Sequence, residues 1–341
     1  MENTILFTIF GFIYLFLLNN LLKKYNFCLD DTSGNEKHKL LLNFKSKTPL
    51  SGSLYFFPII FYLFYEYYFL GAVFCLIFFG LGLLSDLKIT NSPKLRLIFQ
   101  FILLIVFLLL SNEITIDTRI EFINNLMNNE ILKVVIISFF LLVIINGFNF
   151  IDGVNNLSSL NFAIILFFSY LLIINNQFFY PKNQILVLLI LVLIFVVFNF
   201  FGKNFLGDGS VYGLSFFIGY LLINISLLDS KISPYYIANL LWYPAFENLF
   251  TIIRRTFFKR KYYLPDNLHL HQMLYKFLTK KILVKKNYLL SSLSGIIINT
   301  YLFLINIIGY FHYSETDVQI TLIVISVIVY ILSYNFLKNN H

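Results

Sequence analysis

Long apolar stretches follow one another along nearly the whole chain. Most reach or approach the roughly 18 residues that cross the hydrocarbon of a bilayer. They run near 4–22, 53–66, 68–84, 95–111, 131–146, 157–175, 184–199, 210–228, 235–253, 288–311 and 318–336. In lipid every backbone polar group must be satisfied within the protein, so only helices and closed barrels span. Barrel strands would read as short alternating segments, and these do not. The chain is therefore expected to be an all-α polytopic membrane protein of about eleven transmembrane helices. Charge agrees: 12% of the 341 residues are charged, against about 25% in a soluble domain.

Basic residues orient the spans. With the N-terminus outside and the C-terminus cytoplasmic, only Arg119, Lys133, Lys182 and Lys231 of the 25 Lys and Arg fall outside. So lopsided a distribution favours that orientation and an odd number of spans. The first apolar stretch lacks a basic leader and a small-residue cleavage site, so it reads as a retained span. The net charge of +8 is ascribed to topology and anionic membrane lipid, not to nucleic acid. Cys28 and Cys75, one in a loop and one in a span, suggest neither a disulfide framework nor a metal site. The longest cytoplasmic loop, 254–287, has only 34 residues and is too short for a domain of its own. Residues 1–341 thus form one integral-membrane domain, with two C-terminal spans in 288–336.

This topology puts loops 23–52, 85–94, 147–156, 200–209 and 254–287 on one face, and they carry rare acids. Ionisable groups beside hydrocarbon are costly, so their first reading is functional. Asp208 lies in Phe205-Leu206-Gly207-Asp208-Gly209-Ser210. Flanking glycines let backbone approach a ligand, and Mg²⁺ favours one or two carboxylates plus substrate phosphates; the plainer alternative is a helix N-cap. Asn149 and Asp152 share one side of a helical turn, and Asn155 adds a third polar group. Their carboxamides and carboxylate suit a nucleobase or sugar edge, although Asp-Gly and Asn-Asn are also ordinary turn dipeptides. Asp86, before Ser92-Pro93-Lys94, taken alone reads better as a solvated helix end. His269 and His271 project alike from an extended segment. With Arg254, Arg255, Lys259, Arg260 and Lys261 upstream, they can gather round a pyrophosphate. Zinc would need further Cys or His ligands nearby. Thr48-Pro49-Leu50-Ser51-Gly52-Ser53 fits a turn into the second span.

In this order the motifs resemble those of the polyprenyl-phosphate N-acetylhexosamine-1-phosphate transferase family, which includes WecA, TagO and MraY types. The resemblance runs from about residue 20 to 275. It rests on Thr48 to Ser53, Gly82 to Asp86, Asn146 to Gly153, Phe205 to Asp208 and His269 to His271, and looks nearest to the WecA-like branch. It implies transfer of N-acetylhexosamine-1-phosphate, by default GlcNAc-1-phosphate, from a UDP-sugar to undecaprenyl phosphate. UMP would leave, and a lipid-linked pyrophosphoryl sugar would remain to start a cell-surface glycan. The resemblance further implies a multi-pass protein of the bacterial inner membrane with its active site on the cytoplasmic face, and a homodimer.

The same resemblance assigns roles. Asp86, Asp208, His269 and His271 would be catalytic. Mg²⁺, or Mn²⁺ in its place, would sit on Asp208, with Asn149 and Asp152 as further ligand candidates. Thr48, Lys94, Asn149, Asp152, Asn155, Asn199, Phe205, Arg254 and Arg255 would bind substrate, with Phe205 stacking on uracil. The chain departs from the family pattern at four places. Ser85 replaces the first acid of an Asp-Asp pair. Asn155-Asn156 replaces a second Asp-Gly, His271-Gln272 a His-His doublet, and Gly52-Ser53 a Gly-Gly. A non-catalytic homologue that binds polyprenyl phosphate or a nucleotide sugar, and a secondary transporter, are the competing expectations. A transporter would carry its polar groups at mid-bilayer on broken helices.

Overall fold

The computed structural model describes residues 2–30, 47–90, 92–111, 116–178, 181–257, 268–282 and 286–340. It contains α1 (Glu2–Lys24), β1 (Leu29–Asp30), β2 (Thr48–Pro49), α2 (Gly52–Phe64), α3 (Phe69–Asp86), α4 (Pro93–Leu110), α5 (Glu121–Met127), α6 (Glu130–Ile151), α7 (Leu157–Asn175), α8 (Lys182–Phe200), α9 (Gly207–Ser226), α10 (Pro234–Phe257), α11 (Leu270–Lys281), α12 (Asn287–Phe311) and α13 (Thr316–Asn339). The all-α expectation holds apart from one two-residue antiparallel ladder, Leu29 opposite Pro49 and Asp30 opposite Thr48. The chain is an all-α polytopic membrane protein.

Among the described residues nine helices are long and apolar enough to cross a membrane. Two of the eleven expected spans depart from that pattern. Helix α2 has 13 residues, a rise of about 20 Å, short of the roughly 30 Å hydrocarbon core. The unbroken apolar run 53–84 divides at the Tyr65–Tyr67 turn, beside the expected break at Glu66. Helix α10 is long enough but carries Asn239, Glu247, Asn248, Arg254 and Arg255, all buried. Its polar side faces protein, while Leu249, Ile252 and Ile253 face outward.

Helix α9 is the centre of the bundle, with 15 of its 20 residues buried. Its small residues explain this, since lipid gives no hydrophobic drive to helix pairing and close backbone approach must supply it. A Cβ on Gly82 of α3 would meet the Gly209 Cα at 2.4 Å, and one on Gly213 would meet the Phe79 ring. Helices α3 and α9 therefore touch backbone to backbone. That contact brings the C-terminus of α3 over the N-terminus of α9.

The two ends of the bundle differ chemically. At one end the Arg119 guanidinium donates to the carbonyls of Ser230, Lys231 and Ser314 and to the Thr316 hydroxyl, tying three loops together. The acids and histidines of the sequence motifs collect at the other end.

Candidate active site

Asp86 ends α3, and both its oxygens meet the start of α9. Oδ1 accepts the Asp208 amide N–H at 2.8 Å and Oδ2 the Gly209 N–H at 3.1 Å. A helix N-terminus leaves its first amides without partners and carries partial positive charge, so a carboxylate there is favoured twice over. Gly207 makes the approach possible. Its φ is +78°, and a Cβ there would lie 2.7 Å from Asp86 Oδ2. This adds a structural role to the one expected of Asp86. With one amide on each oxygen, Asp86 positions Asp208.

Asp208 stands in the first turn of α9. Its Oδ2 accepts from the Ser85 hydroxyl at 2.6 Å and from the Arg96 guanidinium at 2.5 Å. Arg96 also donates to the Ser85 oxygen. Ser85 thus occupies the vertex between a cation and an anion. Oδ1 of Asp208 has no partner among the described residues, and the side chain is 28% exposed. Arg96 was missed as a site residue in the sequence. Lys94, proposed instead, is exposed, because two residues along a helix turn to nearly opposite sides.

Asp152 caps the C-terminus of α6, just beyond the span, and is half-buried with Asn149 one turn before it. Among the described residues its carboxylate has no hydrogen-bond partner. Burial, then the charges of Asp208, Asp86 and Asp30, push its pKa well above the usual carboxylate range. Asp30 comes from the ladder, where it pairs with the buried Thr48. The Phe205 amide donates to the Pro49 carbonyl of the same ladder at 2.9 Å, which fixes the half-buried Phe205 beside this group.

A second cluster carries the histidines. Glu247, Thr251, Arg254 and Arg255 recur at helical spacing along one buried face of α10. His269 Nδ1 meets Glu247 Oε1 at 2.8 Å and Thr251 Oγ1 at 3.4 Å. The other carboxylate oxygen accepts from the Tyr330 hydroxyl of α13 at 2.7 Å. The Phe150 ring lies 5.5 Å from the His269 ring, and the Arg255 guanidinium 5.6 Å from Phe150. His271 stacks on His269 with centroids 5.5 Å apart and is fully buried. Its Nε2 would be 2.4 Å from a Cβ on Gly153, so the Asp152 loop and the histidine segment touch. Burial and the nearby His269 lower the His271 pKa to about 3. The neutral form of His271 is therefore favoured.

Two expected pocket residues also make contacts that join loops to helices. Asn199 is 5% exposed; its Oδ1 accepts the Asn156 N–H at 2.6 Å and its amide donates to the Asn204 carbonyl at 2.7 Å. Asn155 is also buried, and its N–H donates to the Ser291 hydroxyl at 2.9 Å. Asn199 thus ties the loops that carry Asn156 and Asn204 to the end of α8, and the Asn155 backbone joins the first of these loops to α12. The upstream basic residues Lys259, Arg260 and Lys261 lie outside the described residues.

Residues 68–226 match the model of glycosyl transferase family 4. The match places that segment among MraY- and WecA-like proteins and supports a polyprenyl-phosphate sugar-phosphate transferase in general. It spans α3 to α9 and so holds Ser85, Asp86, Arg96, Asn149, Asp152 and Asp208. Glu247, His269, His271 and Tyr330 lie beyond it. None of the curated proteins matches the chain.

Proposed function

We propose that this protein transfers N-acetylhexosamine-1-phosphate, by default GlcNAc-1-phosphate, from a UDP-sugar to undecaprenyl phosphate, and that UMP leaves. The observation that carries the reading is Asp208, held by Asp86, Ser85 and Arg96 at the end of the bundle that also holds Asp152, Arg255, His269 and His271. We place the chain in the WecA-like branch, in a bacterial inner membrane, with this end facing the cytoplasm. The basic-residue asymmetry supports the orientation.

In the reaction a lipid-phosphate oxygen attacks the sugar-bearing phosphorus of the donor. A new P–O bond forms, the P–O bond to UMP breaks, and UMP leaves with the electron pair. No base is needed, because a phosphate monoester has its second pKa near 6. The protein has to position two polyanions and balance their charge. Arg254 and Arg255 supply donors for phosphoryl oxygens. Phe150 holds Arg255 and His269 on a common ring. Asp208 and Asp152 are available to a divalent cation, with Asn149 close in sequence to the latter. Among the described residues no three His, Cys, Asp or Glu form a cage, but Mg²⁺ at phosphate sites uses one or two carboxylates and completes its shell with phosphate and water. Burial first, and then repulsion from Asp208, Asp86 and Asp30, raise the Asp152 pKa, and such an ion would relieve the repulsion. Mg²⁺, or Mn²⁺, would neutralise charge on the donor diphosphate. Ser85, in place of an acid, costs the reaction no proton acceptor it requires.

The test is UMP release by the purified protein, given undecaprenyl phosphate and a panel of UDP-sugars with Mg²⁺. Release of UDP, which marks sugar transfer without its phosphate, would overturn the reading. Full activity in EDTA would remove the metal role.

A further inference from the structure

Glu247 is the only acid in α10, and its side chain is 1% exposed. A buried carboxylate in a membrane bundle is costly unless each oxygen is answered. Here both are. His269 Nδ1 lies 2.8 Å from Oε1, and the Tyr330 hydroxyl donates to Oε2 at 2.7 Å. The three residues come from α10, the segment before α11, and α13. All lie outside the stretch that matches the glycosyl transferase model.

The His269 ring is held on its faces as well as at its edge. Phe150 sits on one neighbouring side and His271 is nearly parallel at an interplanar angle of 18°. A ring restrained in this way has one orientation. A carboxylate on Nδ1 then selects which nitrogen carries the proton. The second carboxylate oxygen is fixed by Tyr330, so the carboxylate cannot rotate to release the imidazole without breaking that bond too.

We infer that Tyr330 and Glu247 are positioning residues for His269, keeping its proton on Nδ1 and so presenting Nε2 as a hydrogen-bond acceptor to a substrate hydroxyl. The inference rests on the reading of His269 as a substrate-facing residue. It gives α13 a task in the reaction beyond crossing the membrane. The alternative is that the trio only fastens the α11 segment to the bundle. A fastener has no need of a particular tautomer, and this separates the two.

The experiment uses the full-length protein in detergent with ¹⁵N-labelled histidine, and His269→Gln assigns the signal. The parent is expected to show a protonated Nδ1 at His269. In Glu247→Gln the amide can donate to Nδ1, and the proton should move to Nε2. UMP release should fall on the order of a hundredfold or more in kcat, as when a carboxylate that orients a catalytic imidazole becomes an amide, with KM for the UDP-sugar changed less than about threefold. Tyr330→Phe should keep Nδ1 protonated and lose roughly three- to tenfold in kcat. Glu247→Asp should keep the parental tautomer and more activity than Glu247→Gln. If Glu247→Gln does not fold, Tyr330→Phe and Glu247→Asp carry the test: unprotonated Nδ1 in both would overturn the inference. So would a folded Glu247→Gln with parental tautomer and kcat. Should the parent release no UMP, the proposed reaction fails, and the Nδ1 signal in Glu247→Gln alone decides the inference.

Discussion

The Asp86 carboxylate caps the helix that carries Asp208, accepting the Asp208 amide N–H at 2.8 Å. The two acids lie 122 residues apart in sequence and act as one unit. One builds the helix start and the other uses it. They should therefore fail differently. Asp208→Asn keeps the cap and the shape but loses the charge that a divalent cation requires. It should abolish UMP release and leave the melting temperature near that of the parent. Asp86→Ala removes the cap, which costs about 1–2 kcal/mol, and should lower the melting temperature as well as activity. A Asp86→Ala protein as stable as the parent would show that the cap carries no weight.

Ser85 is the residue whose replacement of an acid most invites doubt about activity. Its hydroxyl donates to Asp208 and accepts from Arg96. Ser85→Ala removes one such bridge, worth about 1 kcal/mol, and should reduce kcat by about fivefold. Ser85→Asp places a second carboxylate beside Asp208 and should halve, or lower further, the Mg²⁺ concentration needed for half-maximal rate, with kcat within about tenfold of the parent. Arg96→Ala leaves Asp208 without its cation, and kcat should fall by about tenfold or more. Parental kcat and Mg²⁺ requirement in Arg96→Ala would remove Arg96 from the site.

Much of this was legible in the sequence, for a physical reason. Acids are costly beside hydrocarbon, so Asp86, Asp152 and Asp208 stood out against apolar spans. What they touch was not legible, because tertiary contacts across 100 residues leave no local pattern. Asp86 therefore read, taken alone, as the end of its own helix, and its cap on α9 was hidden. Asn199 looked like a pocket wall, and its ties to Asn156 and Asn204 were hidden as well. Arg96 was counted only as a topology signal. A sharper clue lay in its place: a cation in the first turn of α4 opposes the helix dipole, so something nearby must favour it. Glu247 offered the same clue as a lone acid inside a span. The short α2 was hidden because the run 53–84 is apolar throughout and marks no helix end.

Asp152 gives a prediction about pH and metal together. Its pKa in the folded protein is raised by burial and by Asp208, Asp86 and Asp30. The folded state thus binds its proton more tightly than the unfolded chain, and stability falls as pH rises from the ordinary carboxylate range toward the raised value. Asp152→Asn removes that loss. Its melting temperature should exceed the parent's at pH 8 and approach it at pH 4. Added Mg²⁺ should stabilise the parent at pH 8 and stabilise Asp152→Asn less. Equal stabilisation of both proteins by Mg²⁺ would exclude Asp152 as a ligand.

His271 answers to acid in the opposite sense. Burial lowers its pKa from 6.5 to about 3, so the folded state refuses a proton that the unfolded chain accepts. The sign follows from linkage: the stability that neutral His271 contributes is full above pH 6.5 and is lost progressively as pH falls toward 3. His271→Gln cannot be protonated and should flatten that part of the profile, with melting temperatures measured in steps from pH 7.5 to 4. The packing of the ring predicts a second effect. A methyl on Gly153 would press on Nε2 at 2.4 Å; overpacking of this kind costs about 1–3 kcal/mol. Gly153→Ala should therefore lower the melting temperature, and His271→Ala should restore much of it in the double variant by emptying the contact. If the two losses simply add, Gly153 and His271 are energetically independent, and the contact that joins the Asp152 loop to the histidine segment does not hold them together.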